Sequence, residues 1–340
     1  MRLVLITTTI HVPNVLRSYR RFEPDMEILI AGDRKTPHDE VRVLANEIGN
    51  ATYFSDKDQE RAGYRCSEVM GWNKIMRRNF ALLEAIRSHA EIIISIDDDN
   101  LPLSNKHITD FNSSLSTPFD GFKATSETGW VNAAEYLAPK VYYRGFPFTQ
   151  RNIDHVPSMV TAENAKVGVA NGLTLGDPDI NAIDRILTRS MTYHASPILE
   201  SGFVVDQKCF SPFDSQNTAF NRELSPLMMM LIGVGRYDDI FASYIAERIM
   251  WETDWHVHFG KPFVWQTRNQ HNQWINLRDE LFGMEYTEKF VEDLQTAELE
   301  KNDIIGNLQR VYDHLAKSDY LPQIVFDMAR AWLEDLETVC

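Results

Sequence analysis

The sequence predicts an α/β fold, with a mainly parallel central sheet and a helical appendage at its C-terminal end. Three observations carry the prediction. Apolar runs of strand length alternate with amphipathic stretches up to residue 101, the run Ile92-Ile-Ile-Ser-Ile96 stops abruptly at three carboxylates, and helical periodicity dominates from Glu280 onward. The 340 residues, 44% hydrophobic and 24% charged, suffice for one large core with an appendage.

The chain opens with Arg2-Leu-Val-Leu-Ile-Thr-Thr-Thr-Ile10, a β-branched run expected to be the first strand, with Thr7, Thr8 and Thr9 at its carboxyl end. Open α/β sheets bind ligands at that edge. No Gly-x-Gly-x-x-Gly follows, so hydroxyls and backbone groups would have to receive a nucleotide. After a short helix, Met26-Glu-Ile-Leu-Ile-Ala-Gly-Asp33-Arg-Lys35 reads as a second strand ending in an acid and two cations. Asp33 suits ribose hydroxyls and Lys35 a phosphate, against the plainer reading of a strand-to-turn exit. Residues 62 to 90 read as helix, with Ile75, Leu82, Leu83 and Ile86 spaced for a buried face. Arg77, Arg78 and Asn79 begin its better-formed half. Their side chains could hold a diphosphate or a uracil edge; surface arginines without a partner are the bland alternative.

Asp97, Asp98 and Asp99 end the third apolar run, and Asn100 and Pro102 follow. Three adjacent carboxylates repel one another unless a cation sits among them. Hard oxygen ligands beside a strand end suit Mg²⁺ or Mn²⁺ carrying a phosphate-bearing substrate. A solvated acidic turn competes with this reading, and the complete apolar run before it argues against the turn. The middle, 102 to 220, is rich in aromatic, Pro and Gly residues and is expected to form loops and short strands lining a site. Asp238 and Asp239 precede the stripe Ile240, Phe241, Tyr244 and Ile245, which places them in the first turn of a helix, where the dipole alone would favour them. His271, in the polar exit of a short strand, is either an imidazole ligand completing the acidic cluster or a loop histidine. The apolar faces of 302 to 317 and 322 to 337 suggest a small cap or an assembly surface, and a homo-oligomer is the expectation.

The formal charge of −15 argues against broad binding of nucleic acid or anionic membrane. Cys66, Cys209 and Cys340 are too few and too widely spaced for a disulfide framework or a thiolate zinc site, so a reducing, cytoplasmic location is expected. No run of about 18 apolar residues occurs, and no membrane span or signal peptide is expected.

Five motifs occur in the order of similar motifs in the reversibly glycosylated polypeptide, or UDP-arabinopyranose mutase, family. They are Ile96-Asp-Asp-Asp99, Tyr143-Arg-Gly-Phe-Pro-Phe148, Gly172-Leu-Thr-Leu-Gly-Asp-Pro-Asp-Ile180, Asn217-Thr-Ala-Phe-Asn-Arg-Glu-Leu224 and Gly235-Arg-Tyr-Asp-Asp239. The first hundred residues, with Ala31-Gly-Asp-Arg-Lys-Thr-Pro37 and Arg78-Asn79, and also Arg268-Asn-Gln-His271, look closer to STELLO-type proteins read as glycosyltransferases. The resemblance covers about residues 1 to 285. It implies a GT-A catalytic domain over that range followed by a helical segment over 286–340, a UDP-sugar, and a divalent metal, Mn²⁺ or Mg²⁺.

On this resemblance Asp99 would ligate the metal directly, with His271 as second protein ligand. Asp97 would turn toward the ribose or a bound water, and Asp98 would contribute to the nucleotide-sugar site. Asp238 or Asp239 would face the sugar as general base or hydroxyl partner. The family's reversibly glycosylated arginine carries over onto Arg144, and a second required arginine onto Arg151. Guanidinium is always protonated in water, so covalent chemistry at Arg144 needs a neighbouring carboxylate; a phosphate or sugar clamp is the simpler role. The leading expectation is a metal-dependent glycosyltransferase moving a sugar from UDP to a glycan, lipid, protein or modified nucleic-acid hydroxyl. The alternatives are a UDP-sugar pyranose–furanose mutase and a non-catalytic sugar-nucleotide-binding protein.

Overall fold

The computed structural model describes residues 2–152, 156–188, 191–268 and 272–340. Its main sheet contains β1 (Leu3–Thr8), β2 (Glu27–Ala31), β3 (Ala51–Phe54), β4 (Ile92–Ile96), β5 (Phe119–Thr125), β6 (Ser158–Asn171), β7 (Phe203–Val205), β8 (Asn217–Asn221) and β9 (Trp255–Phe259), in the spatial order β9-β7-β5-β6-β8-β4-β1-β2-β3. From β3 to β4 every pairing is parallel, as the alternation of strands and helices predicts. Beyond β4 the sheet is mixed: β8 is antiparallel to β4 and to β6, while β9 is parallel to β6.

All five residues of β4 are buried, because layers of helices cover both faces of the sheet. Ile92, Ile94 and Ile96 point into one layer with Tyr19, Val41 and Phe111, and Ile93 points into the other with Phe80 and Phe241. The middle of the chain is more regular than expected. Its β6 runs for 14 residues, pairing β5 along its first half and β8 and β9 along its second.

The stretch 62 to 90 is not one helix. A helix Arg65–Met70 stops at Gly71, whose φ is +64°, and α1 (Arg78–Arg87) begins after a turn. Ile75 falls in that turn and is exposed instead of buried. Asp238 and Asp239 open α2 (Asp238–Met250), a helix buried along its whole length. The helix α3 (Gln273–Thr296) runs unbroken through residue 285, so the boundary expected there falls inside a helix. It is followed by α4 (Ile304–Leu315) and α5 (Gln323–Val339).

The apolar faces of α4 and α5 are buried within the chain, with Leu308, Val311, Met328 and Trp332 joining the core that contains Phe241. Trp332 Nε1 donates to the carbonyl of Pro226 at 2.9 Å, and the Asp335 carboxylate accepts the backbone N–H groups of Arg65 and Cys66 at 2.8 Å each. These faces therefore supply no reason for an oligomer. Among the described residues no helix is long and apolar enough to cross a membrane.

Candidate active site

From β1 the chain turns to β2 on one side, while β4 lies on the other, so the carboxyl ends of β1 and β4 diverge. Ligands enter α/β sheets at such a switch point. An open cleft of about 430 Å³ lies here, reached by Thr8 and Thr9 after β1, by Asp97 to Asp99 after β4, and by Asp238 and Asp239 at the start of α2.

The three adjacent carboxylates take three different partners. Asp97 pairs with the buried Arg78, which also donates to the carbonyl and hydroxyl oxygens of Ser215 at 2.8 Å each. Asp98 accepts the Thr9 hydroxyl, and burial raises its pKa. Asp99 accepts Gln266 Nε2 at 3.1 Å; burial and then the charges of Asp97 and Asp98 push its carboxyl up to about 6. Among the described residues no group of three or more His, Cys, Asp or Glu converges as a self-sufficient metal site. His271 lies outside the described residues.

At the opposite end Arg144 is buried between two carboxylates. Its Nη2 donates to Asp179 at 2.8 Å and to Asp239 at 3.1 Å, its Nε donates to Asp179 at 3.1 Å, and its Nη1 donates to the carbonyl of Arg236. Burial opposes the charge on Arg144, but Asp179 and Asp239 prevail and raise its pKa well above the ordinary value. Burial likewise pushes the Asp179 carboxyl up, yet Arg144 and Arg268 pull it well below the usual range. Asp238 behaves oppositely: burial and then Asp239 push its carboxyl up to about 7. The cleft thus holds one carboxyl pulled down by cations, Asp179, and one pushed up by burial, Asp238.

The Arg144 loop rests directly on α2. Tyr244 Oη donates to Gly145 O at 2.6 Å, and Gly145 has φ +95° with only 2.5 Å between a would-be Cβ and Ile240 Cγ2, so no other residue fits there. The carboxylate that covalent chemistry at Arg144 requires is present twice, as Asp179 and Asp239.

Several expected ligands have structural roles instead. Arg77 is fully buried, donating to Gly71 O at 2.9 Å and Ser67 Oγ at 2.6 Å while its guanidinium lies 3.7 Å from the Trp72 ring; it holds the turn and does not reach the cleft. Asn79 exchanges bonds with the backbone of Met230, donating and accepting at 2.9 Å each. Thr7 is buried within β1. Arg151 pairs with Asp184 at 2.8 Å and stacks 4.0 Å from the Phe148 ring, outside the cleft lining. Asp33 does line the cleft, but its carboxylate accepts the backbone N–H groups of Arg34, Asn73 and Lys74 at 2.6, 2.8 and 3.0 Å, so it anchors a loop in place of a ribose. Lys35 lines the cleft as expected.

Other residues escaped the sequence reading. Asp179 lies in the quoted 172–180 motif, but Asp-Pro-Asp also reads as turn composition. Ser215 and Gln266 carry no signal in a single sequence. Ser215 donates from N at 3.0 Å and from Oγ at 3.1 Å to Asp239, and so joins Arg78 and the acidic edge to the Arg144 end.

Fold and site together define an α/β protein with a charged ligand cleft at a sheet switch point, acidic at one end and anchored by a buried arginine at the other. The chain belongs to the reversibly glycosylated polypeptide family, whose model matches residues 2–336. It is 29% identical over 185 residues to UDP-arabinopyranose mutase 3 of Arabidopsis thaliana, covering 52% of this chain and 46% of that one. It is 27% identical over 245 residues to UDP-arabinopyranose mutase 1 of Oryza sativa subsp. japonica, covering 68% and 61%. The chain thus spans about half to three fifths of the length of these relatives. Their names support the mutase alternative better than the leading expectation of a glycosyltransferase.

Proposed function

We propose that the protein is a UDP-sugar mutase, interconverting the pyranose and furanose rings of a UDP-linked pentose of the arabinose type. The observation that carries the reading is Arg144, held charged between Asp179 and Asp239, within the same cleft as a carboxyl with a pKa of about 7 at Asp238. Ring interconversion requires the bond between the anomeric carbon and the UDP oxygen to break. The sugar ring must open and reclose through another hydroxyl, and a β-phosphate oxygen of the released UDP must recapture the anomeric carbon. A proton leaves one hydroxyl and returns to another along this course. Asp238 is suited to carry it in both directions, because burial and the neighbouring Asp239 raise its pKa from the ordinary carboxylate range toward neutrality. Arg144 acts as a clamp on sugar hydroxyls or the departing phosphate oxygen.

The acidic edge fits a divalent cation, Mn²⁺ or Mg²⁺. Its donors are hard oxygens, and although burial is the main reason the Asp99 pKa is raised, the charges of Asp97 and Asp98 add to it a repulsion that a cation would relieve. Asp97 and Asp99 would hold the ion jointly with diphosphate oxygens, where it would neutralise charge on the leaving nucleotide. The architecture suits the GT-A type, and a UDP-sugar is the proposed substrate.

Incubation with UDP-arabinopyranose and Mn²⁺, without any acceptor, should yield the furanose isomer by chromatography of the sugar nucleotide. Failure to interconvert, with transfer of the sugar to an added hydroxyl acceptor, would restore the transferase reading. A gain of one sugar mass at Arg144 would give the arginine a covalent role in place of the clamp.

A further inference from the structure

Asp239 is held at both of its oxygens. Oδ1 accepts Arg144 Nη2 at 3.1 Å, while Oδ2 accepts the amide N–H of Ser215 at 3.0 Å and its hydroxyl at 3.1 Å. The same hydroxyl accepts Arg78 Nη1 at 2.8 Å. A guanidinium only donates, so the hydroxyl directs its own hydrogen elsewhere, and Asp239 Oδ2 at 3.1 Å is a far better acceptor than Met230 Sδ at 3.9 Å.

The Ser215 backbone is fixed to the acidic edge. Its carbonyl accepts Ser95 Oγ at 2.6 Å and Arg78 Nη1 at 2.8 Å, and Gln216 O accepts Asp97 N and Asn100 Nδ2 at 2.9 Å each. Ser95 lies in β4 and Asp97 directly follows that strand, whereas Asp239 belongs to α2 and Arg144 to the loop resting on it. Ser215 thus joins two separately built parts of the cleft. Behind it and Asp239 lies a cavity of about 30 Å³, lined also by Thr218, Ala242 and Ser243. Packing on that side is incomplete, so hydrogen bonds fix the carboxylate where contacts do not.

We propose that Ser215 is a positioning residue for ring interconversion, whose hydroxyl sets the Asp239 carboxylate, and with it the Arg144 fork, in place relative to the acidic edge. The inference rests on the UDP-sugar mutase reading and deepens it by naming a residue that acts through Asp239. Recapture needs the anomeric carbon brought back to a phosphate oxygen, and a misplaced sugar clamp lowers the rate of that step more than it weakens binding.

The test measures kcat and KM for UDP-arabinopyranose with Mn²⁺, and the Kd of UDP with Mn²⁺, for the full chain, Ser215→Ala and Ser215→Thr. Alanine removes the hydroxyl and keeps the amide and carbonyl; kcat should fall about tenfold, the size of one lost hydrogen bond to a charged group, with KM and the UDP Kd within about twofold. Threonine keeps the hydroxyl, and the cavity has room for its methyl, so kcat should lie within about threefold of the unaltered protein's. An unchanged kcat in Ser215→Ala, or a loss that threonine does not restore, overturns the positioning role and leaves the mutase reading standing. Equal losses of kcat and UDP affinity overturn it too, since they would make Ser215 part of the nucleotide's binding surface. If the unaltered protein interconverts no UDP-sugar, the mutase reading fails and the inference with it.

Discussion

Arg144 has five N–H donors, and bonds to Asp179, Asp239 and the Arg236 carbonyl occupy four of them. One hydrogen on Nη1 remains for a ligand. Lysine keeps the charge but cannot reproduce the fork, so Arg144→Lys should lower turnover of the UDP-sugar about 100-fold while UDP itself binds nearly as before. Equal losses of both would instead place Arg144 on the diphosphate. For the metal, Asp99→Asn should weaken Mn²⁺-dependent UDP binding as EDTA does, and metal-independent affinity would remove the cation from the site. Asp214 lies beneath the cleft, where burial and then Asp179 and Asp239 push its carboxyl up to about 7. The folded state therefore keeps a proton to higher pH than the unfolded chain, whose carboxyl titrates near 3.9. Stability tied to this group is present below about pH 4 and is lost as pH rises through about 7. Asp214→Asn should accordingly gain about 1–2 kcal/mol over the wild type at pH 8 and nothing at pH 4, read from urea midpoints.

Among the elements, the short helix Arg65–Met70 depends on α5. Asp335 accepts its first two backbone N–H groups at 2.8 Å each, a cap supplied from far along the chain. Asp335→Ala should cost about 1–2 kcal/mol, whereas Glu334→Ala, which removes only the exposed 3.9 Å pair with Arg65, should cost under about 0.5 kcal/mol. Comparable losses would reduce the cap to a general surface effect. The placement of α2 was legible in advance, because its apolar stripe begins immediately after Asp238 and Asp239. The turn at 71–77 was not: Gly71 marks it, but the apolar spacing of Ile75 matches the following helix. Only the contact of Arg77 with Gly71 O and the Trp72 ring reveals why the chain bends there.

On the scale of the whole molecule, α4 and α5 close the core on one side of the sheet. Trp332 is fully buried, and Leu308, Val311 and Met328 pack into the same cluster as Phe241 of the cleft helix. A chain ending at residue 301 should lose cooperative unfolding and aggregate, since the face it uncovers is core and not surface. An unchanged, cooperative urea midpoint for that truncation would show the appendage to be dispensable. The hydrogen-bonded chain from Asp97 through Arg78, Ser215, Asp239 and Arg144 to Asp179 spans the cleft and draws on residues from six separate stretches of sequence. It couples the acidic edge to the arginine end through side chains that no local pattern relates.

The sequence by itself determined β1, β2 and β4, because apolar periodicity is a property of neighbours along the chain, whereas the long β6 in the middle was not legible. The acidic edge, the helix start at Asp238 and the five ordered family motifs were readable for the same reason. Tertiary structure alone decided what each polar group does. Arg77 and Arg78 are adjacent, yet one holds a turn and the other meets Asp97, since successive residues of a helical turn point in different directions. Asp33 resembles a ribose ligand until the backbone of a loop forty residues away occupies it, and Asp179 resembles a turn until Arg144 folds onto it. A carboxylate's role depends on the donors and charges around it in space, and those come from elements that only the packed sheet brings together.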